Sequence, residues 1–113
     1  MYKQVILMRA DLQLPKGKAV AQGAHAAVEA ALKGDKEMVK AWRAAGMPKI
    51  VLKVKDLKEL ESFNQFAKDA GITAALITDA GHTVVEPGTV TCLGLGPDKD
   101  EKLDKLVGHL KLY

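Results

Sequence analysis

Four polar side chains follow one another at helical spacing early in the chain: Lys18, Gln22, His25 and Glu29. At about 100° per residue these positions fall within an arc of roughly 60°, so they form one polar stripe along a predicted helix. A lysine, an amide and a histidine on one stripe could stabilise a negative charge and move a proton. A solvated helix face explains the same pattern, and both interpretations stay open at this point.

Eight elements are predicted to position this stripe. Buried-strand patterns, a proline suited to a first helical turn, an aspartate cap and glycine stops define them. They are a strand at 3–8, a helix at 15–33, a helix at 35–46, a strand at 49–55, a helix at 56–71, strands at 72–78 and 89–96, and a helix from 97. The order β-α-α-β-α-β-β-α predicts an α/β fold, a three-layer α/β/α sandwich around a small four-stranded mixed sheet.

The helix at 15–33 also carries an apolar stripe, which lies roughly opposite the polar stripe. Its members are Val20, Ala24, Ala27, Val28 and Ala31. We expect this apolar stripe to face the sheet, where the alanines would let helix and sheet approach closely. The polar stripe is then expected to lie outside the core.

The predicted topology brings further polar residues to the polar stripe. If the strands at 3–8 and 72–78 are parallel, their carboxyl ends share the sheet edge at which open α/β folds bind ligands. The helix that begins near Lys18 starts at that same edge. The other polar residues expected there are Arg9, Asp11, Asp79, Thr83 and Thr89. This set suits an anionic substrate and a developing oxyanion.

Composition narrows the class of protein. The 113 residues predict one domain, 1–113, and contain no apolar run of 18 residues, so we expect no membrane span. A short first apolar run does not suit a signal peptide, and the single cysteine, Cys92, fits a reducing cytoplasm. Residues 1–58 hold 12 Lys/Arg and 5 Asp/Glu, against 5 and 9 in the remainder. This asymmetry indicates either a polyanionic partner or a lysine-rich solvated surface.

Other chemistries fit the sequence less well. The only serine, Ser62, lies in a predicted helix and outside any G-x-S-x-G motif. The three histidines lack the spacing of metal ligands, so no metal site is predicted. The glycines near the C-terminus lack the G-x-G-x-x-G pattern of dinucleotide binding.

Two long blocks carry a resemblance to a known family: RADLQLPKGKAVAQGAHA at 9–26 and TDAGHTVVEPGTVTCLGLGP at 78–97. They closely resemble the peptidyl-tRNA hydrolases of the archaeal and eukaryotic type, whose pattern is R-x-D-L, G-K-x-A-A-Q-x-x-H-A, D-A-G-x-T-Q and a T-V-L-x-I-G-P ending. We match the start of that ending to Thr89 and Val90, so that Thr91-Cys92 counts as a variation. Val20 and Val84 depart from the alanine and glutamine of the pattern.

The resemblance implies hydrolysis of the ester that joins a peptide to the 3′ ribose of tRNA. Asp79 would orient or deprotonate the attacking water, Lys18 would stabilise the oxyanion or hold the terminal phosphate, and His25 is the alternative base. The residues expected to bind substrate are Gln22, Thr83, Thr89, Arg9 and Asp11. Neither a metal nor an organic cofactor is implied, and the substrate partner is peptidyl-tRNA.

The family resemblance also suggests a homodimer. The rival class is a tRNA- or protein-binding module without catalysis, which would use the basic half but would not need Asp79 beside Lys18. Whether those two side chains touch therefore separates the two interpretations.

Overall fold

The structure, a computed structural model, describes residues 1–81 and 85–113. Its elements are β1 (Tyr2–Arg9), α1 (Lys16–Lys33), α2 (Lys36–Ala44), β2 (Lys49–Val54), α3 (Leu57–Asp69), β3 (Ala74–Thr78), β4 (Val90–Lys99) and α4 (Asp100–Val107). The predicted element order is confirmed. None of the helices in these two ranges is both long and apolar enough to cross a membrane.

The strands form one mixed sheet in the order β2-β1-β4-β3. β1 pairs in parallel with β2, while β4 pairs antiparallel with both β1 and β3. β1 and β3 therefore run in the same direction, and their last residues, Arg9 and Thr78, reach the same edge of the sheet. This arrangement confirms the four-stranded mixed sheet predicted from the sequence.

Helices cover both faces of the sheet. Alternate residues of β1 point to opposite faces, which is why its apolar run is buried on both sides. One core contains Val5 and Leu7 with side chains of α3 and α4, among them Leu60, Phe63, Leu103 and Val107. The other contains Ile6 and Met8 with Ala26 of α1, Ile77 and Cys92. The fold is thus the predicted three-layer α/β/α sandwich.

Small side chains let α1 lie close to β4. Ala26 and Ala30 are fully buried, and Gln22 continues their line one turn earlier with only 4% exposure. Across from them, a Cβ on Gly94 would overlap the carbonyl oxygen of Ala26 and lie 3.0 Å from the Cβ of Ala30. Glycine at 94 and alanine on the helix are both needed for this close packing.

The sheet-facing side of α1 differs from the prediction. Val20 and Val28, expected to be buried, are 71% and 56% exposed, whereas Gln22 of the polar stripe is buried. Valine side chains facing the sheet would hold the helix away from β4. The smaller side chains of Ala26 and Ala30 allow the close approach. Consequently α1 has a polar flank on one side of its buried line and an apolar flank on the other.

The boundary between β4 and α4 also differs from the prediction. Pro97 and Asp98, expected to open the last helix, belong to β4. They remain in the strand because the pairing with β1 continues to its first residues, with Lys3 opposite Asp98. α4 accordingly begins at Asp100.

Candidate active site

A cleft of about 780 Å³ lies between the polar flank of α1 and β3 with the turn that follows it. The helix contributes the polar stripe, and the strand side contributes residues 76–80. The two meet because α1 begins at the sheet edge where β3 ends. The predicted convergence of Lys18, Gln22, His25 and Asp79 is therefore present in the structure.

Lys18 and Asp79 form an ion pair in this cleft. The Nζ of Lys18 donates a hydrogen bond to Oδ1 of Asp79, and the two side chains are 10% and 2% exposed. Because little solvent reaches the pair, the attraction between the charges is screened much less than at the surface. The two groups on which the enzymatic interpretation depends are in contact.

The turn after β3 holds the Asp79 carboxylate in place. Oδ2 of Asp79 accepts a hydrogen bond of 2.7 Å from the N–H of Gly81. The backbone of Asp79 is tied to the other side of the turn, with N–H to Thr89 O at 2.8 Å and Gly88 N–H to Asp79 O at 3.1 Å. Asp79 therefore stabilises the turn and faces Lys18 at the same time.

A buried hydroxyl orients the amide of Gln22. Thr91, which is fully buried on β4, donates its hydroxyl hydrogen to Oε1 of Gln22. Gln22 is among the residues that line the cleft, and its amide oxygen is engaged with the sheet. The neighbouring Cys92 donates a 3.3 Å hydrogen bond from Sγ to the Gln22 carbonyl, and burial raises the pKa of its thiol to about 11.

Thr91 is not among the site residues predicted from the sequence. The T-V-L-x-I-G-P ending, counted back from Gly96 and Pro97, puts its threonine at 91 and not at 89. Anchoring the motif on that Gly-Pro pair would have identified the residue. Thr89, chosen in its place, donates its hydroxyl hydrogen to Glu86 O at 2.7 Å and does not line the cleft.

Arg9 and Asp11 lie at the same sheet edge but outside the cleft. Arg9 binds both carboxylate oxygens of Asp11, at 3.1 Å through Nε and 2.7 Å through Nη2. Its Nη1 also donates to Val90 O at 2.9 Å, which ties the end of β1 to the start of β4. The hydrogen bonds from Arg9 hold the pKa of Asp11 below its usual value.

Two predicted site residues remain to be placed. His25 is exposed and lines the cleft one helical turn beyond Gln22. Thr83 lies outside the described residues, and so does Val84, one of the departures from the family pattern.

The fold and the cleft define a small α/β protein with a buried lysine–aspartate pair and an oriented amide at one sheet edge. Comparison with known families gives a match over residues 2–113 to the family model described as peptidyl-tRNA hydrolase PTH2. The chain belongs to this family, a family of hydrolases that act on ester bonds.

Individual relatives agree with the family match. The chain is 50% identical to the "Peptidyl-tRNA hydrolase" of Thermococcus onnurineus, over 98% of this chain and 97% of that protein. It is 44% identical to the "Peptidyl-tRNA hydrolase" of Methanothermobacter thermautotrophicus, over 97% of this chain and 98% of that protein. The human "Peptidyl-tRNA hydrolase 2, mitochondrial" is 44% identical over 99% of this chain and 64% of its own length. The family named from the two sequence blocks is confirmed.

Proposed function

We propose that this protein hydrolyses the ester bond between the peptide and the 3′ end of tRNA in peptidyl-tRNA. The observation that carries the proposal is the buried contact between Lys18 and Asp79 beside the oriented amide of Gln22. A binding module has no need to bury this pair in a cleft. Family membership over residues 2–113 supports the same conclusion.

In the proposed mechanism, a water molecule held by Asp79 attacks the carbonyl carbon of the ester. Asp79 accepts a proton from this water as the new C–O bond forms, and the ammonium of Lys18 stabilises the charge on the carbonyl oxygen. The tetrahedral intermediate then loses the ribose 3′ oxygen, which takes the proton from Asp79. The peptide leaves as a carboxylic acid, which releases its remaining proton to solvent and becomes a carboxylate. The tRNA leaves with a free 3′ hydroxyl, and no side chain acts as a nucleophile.

The Nε2 group of Gln22 is proposed to hold the ester in register with this pair. His25 is the alternative base, since its imidazole lines the same cleft. Contacts of the tRNA with Arg9, Asp11, Thr83 and Thr89 stay predictions. Arg9 and Asp11 already bind each other. We propose that this pair keeps the sheet edge in place beside the acceptor end of the tRNA.

The direct test is incubation with N-acetyl-aminoacyl-tRNA and, separately, with the matching aminoacyl-tRNA, following release of free tRNA. We expect rapid cleavage of the acetylated substrate and little cleavage of the other. A module without catalysis would bind both RNAs and leave both esters intact. Lys16→Ala is a suitable matched control for Lys18→Ala, because Lys16 is exposed and does not line this cleft.

We further propose that the protein works in the cytoplasm, where translation takes place, as a homodimer assembled through the apolar flank of α1. This flank comprises the exposed residues Val20, Val28 and Leu32, with Met47 and Tyr113 beside them. They border a groove of about 890 Å³ that is lined mainly by apolar side chains, together with the basic residues Lys16, Arg43 and Lys49. An exposed apolar groove of this size is typical of an interaction site, and small residues at 23, 24 and 27 would let two copies of α1 pack closely.

A further inference from the structure

β3 is an edge strand of the sheet, and its outer edge faces the active-site cleft. In the part of the chain that the structure describes, its only partner strand is β4. Gly96 donates its N–H to Thr73 O at 2.9 Å, which shows which residues of β3 direct their N–H and C=O groups toward β4 and which direct them away. The residues whose N–H and C=O groups then point away from β4 are Ala74, Leu76 and Thr78.

The two edges of the sheet differ in whether another segment of the chain covers them. The C-terminal residues cover the edge of β2, where Lys53 N–H bonds Lys111 O at 2.9 Å and Tyr113 N–H bonds Val51 O at 3.1 Å. Across residues 1–81 and 85–113, no such segment pairs with the outer edge of β3. The strand Ala74–Thr78 also contains no proline and no charged residue, which are the usual means of blocking an edge.

The open edge is continuous with the catalytic cleft. Residues 76–80 and the polar stripe of α1 line one cavity, with the Lys18–Asp79 pair at one end and Glu29 toward the other. Eleven helical residues from Lys18 to Glu29 span roughly 16 Å. An extended chain rises about 3.3 Å per residue, so the cleft has the length of about five peptide residues.

We propose that the outer edge of β3 binds the peptide part of peptidyl-tRNA as an added parallel strand. The inference rests on the proposed function, because it places the ester at Lys18 and Asp79. The ester is at the C-terminal end of the peptide, and Asp79 follows the C-terminal end of β3. The peptide must therefore run in the same direction as the strand.

This mode of binding accounts for two requirements of the reaction. Hydrogen bonds between main chains accept any side chain, so peptides of many sequences can be bound by one edge. A free aminoacyl group has no peptide amide to pair with β3, which disfavours aminoacyl-tRNA. The edge thus supplies a physical basis for acting on peptidyl-tRNA in preference to aminoacyl-tRNA.

The test uses tRNA esterified with one tetrapeptide, prepared with a single N-methyl group at each amide in turn. In a parallel pair, alternate residues direct their N–H groups to the neighbouring strand. We expect N-methylation to lower kcat/KM about 2- to 10-fold at every second position and to leave the others unchanged, as for loss of one hydrogen bond. Equal effects at all positions, or none, would overturn the assignment.

N-acetyl-aminoacyl-tRNA separates this inference from the proposed function. If the protein cleaves that substrate but shows no alternation in the tetrapeptide series, the role of β3 is wrong and the activity stands. If it cleaves neither, the proposed function itself fails.

Leu76→Pro gives a second test, because proline removes an outward N–H and leaves the ladder to β4 intact. We expect KM to rise several-fold for tetrapeptidyl-tRNA and by less for N-acetyl-aminoacyl-tRNA, which has only one amide to pair with the strand. Leu76→Ala keeps the N–H and removes only side-chain atoms, so KM for tetrapeptidyl-tRNA should rise less in this variant than in Leu76→Pro. An Ala variant as impaired as the Pro variant would indicate a side-chain pocket, and a changed oligomeric mass would indicate an interface between copies; either result contradicts the proposal. If Leu76→Pro does not fold by circular dichroism, the N-methyl series in the wild-type protein decides.

Discussion

At the residue scale, the two charged groups of the cleft depend on each other. Lys18 neutralises the carboxylate of Asp79, which is almost fully buried. The same carboxylate accepts a hydrogen bond from the N–H of Gly81 in the turn after β3. Removal of either charge takes away the ion-pair partner of the other, which is destabilising for a buried charge. Loss of activity in a single variant therefore has to be separated from loss of stability.

Asp79→Asn tests the base. Asparagine can still accept the hydrogen bond from Gly81 N–H, but it cannot accept a proton from water. We expect kcat to fall roughly 10²–10⁴-fold and the melting temperature to fall as well, because Lys18 loses its partner. The double variant Lys18→Met/Asp79→Asn should recover stability without recovering kcat. Wild-type kcat in the folded single variant would transfer the role of base to His25.

Thr91 is expected to act through Gln22 as a positioning residue. Thr91→Val keeps the shape but leaves Oε1 of Gln22 buried without its donor, which costs about 1–3 kcal/mol of stability. We expect kcat to fall about tenfold with little change in tRNA affinity, the size of one lost hydrogen bond. Thr91→Ser restores the hydroxyl and should restore kcat. A Ser variant as slow as the Val variant would assign Thr91 to packing alone.

Much of the candidate site could be predicted from local sequence. Helical spacing places Lys18, Gln22 and His25 on one stripe, and strand order brings Asp79 to them. The contact between Gln22 and Thr91 joins residues 69 positions apart and depends on how α1 is rotated over the sheet. That rotation is a property of packing, which the local pattern does not contain.

At the element scale, order and direction could be predicted, whereas the rotation of α1 could not. Along an alanine-rich helix the hydrophobic pattern is weak, and valines at 20 and 28 outweigh alanines at 26 and 30. The buried line follows steric fit to β4, where a glycine admits the helix backbone. The end of β4 was missed for a related reason, because long-range pairing with β1 extends the strand beyond its local signals.

Gly94→Ala tests the close approach of α1 and β4. The new methyl group would overlap the carbonyl of Ala26, and such overpacking costs about 1–3 kcal/mol. Urea denaturation should show a lower midpoint with an unchanged slope. Gly17→Ala on the same helix is the matched control, since a Cβ there meets nothing within 4 Å and alanine improves helix propensity. Equal midpoints for the two variants would contradict the close packing of α1 against β4.

At the scale of the whole molecule, the buried thiol of Cys92 links stability to alkaline pH. Its pKa is raised from 9.0 to about 11 in the folded protein, because burial disfavours the thiolate. Above pH 9 the unfolded chain releases this proton while the folded chain keeps it, so stability falls as pH rises toward 11. The loss is about 1.4 kcal/mol per pH unit, measured as the difference between wild type and Cys92→Ala in urea denaturation. Parallel pH profiles of the two proteins would contradict it.

The two flanks of α1 separate assembly from catalysis. The buried line through Ala26 and Ala30 divides the polar flank, with Lys18, from the apolar flank, with Val28. A charge introduced on the apolar flank should therefore break the proposed dimer without touching the active site.

Val28→Asp is the variant that tests this separation. In sedimentation equilibrium we expect wild type at twice the 12.1 kDa of one chain, and Val28→Asp at the mass of one chain. Phe66→Asp is the matched control, because Phe66 on α3 is 52% exposed against 56% for Val28 but lies away from the apolar flank. The Phe66→Asp protein should remain a dimer. Val28→Asp should retain its kcat on N-acetyl-aminoacyl-tRNA, because the body of the helix shields Lys18 from the carboxylate added to the opposite flank. A dimeric Val28→Asp protein would place the interface elsewhere, and a monomer that has lost kcat would mean that the cleft needs the second copy to be complete.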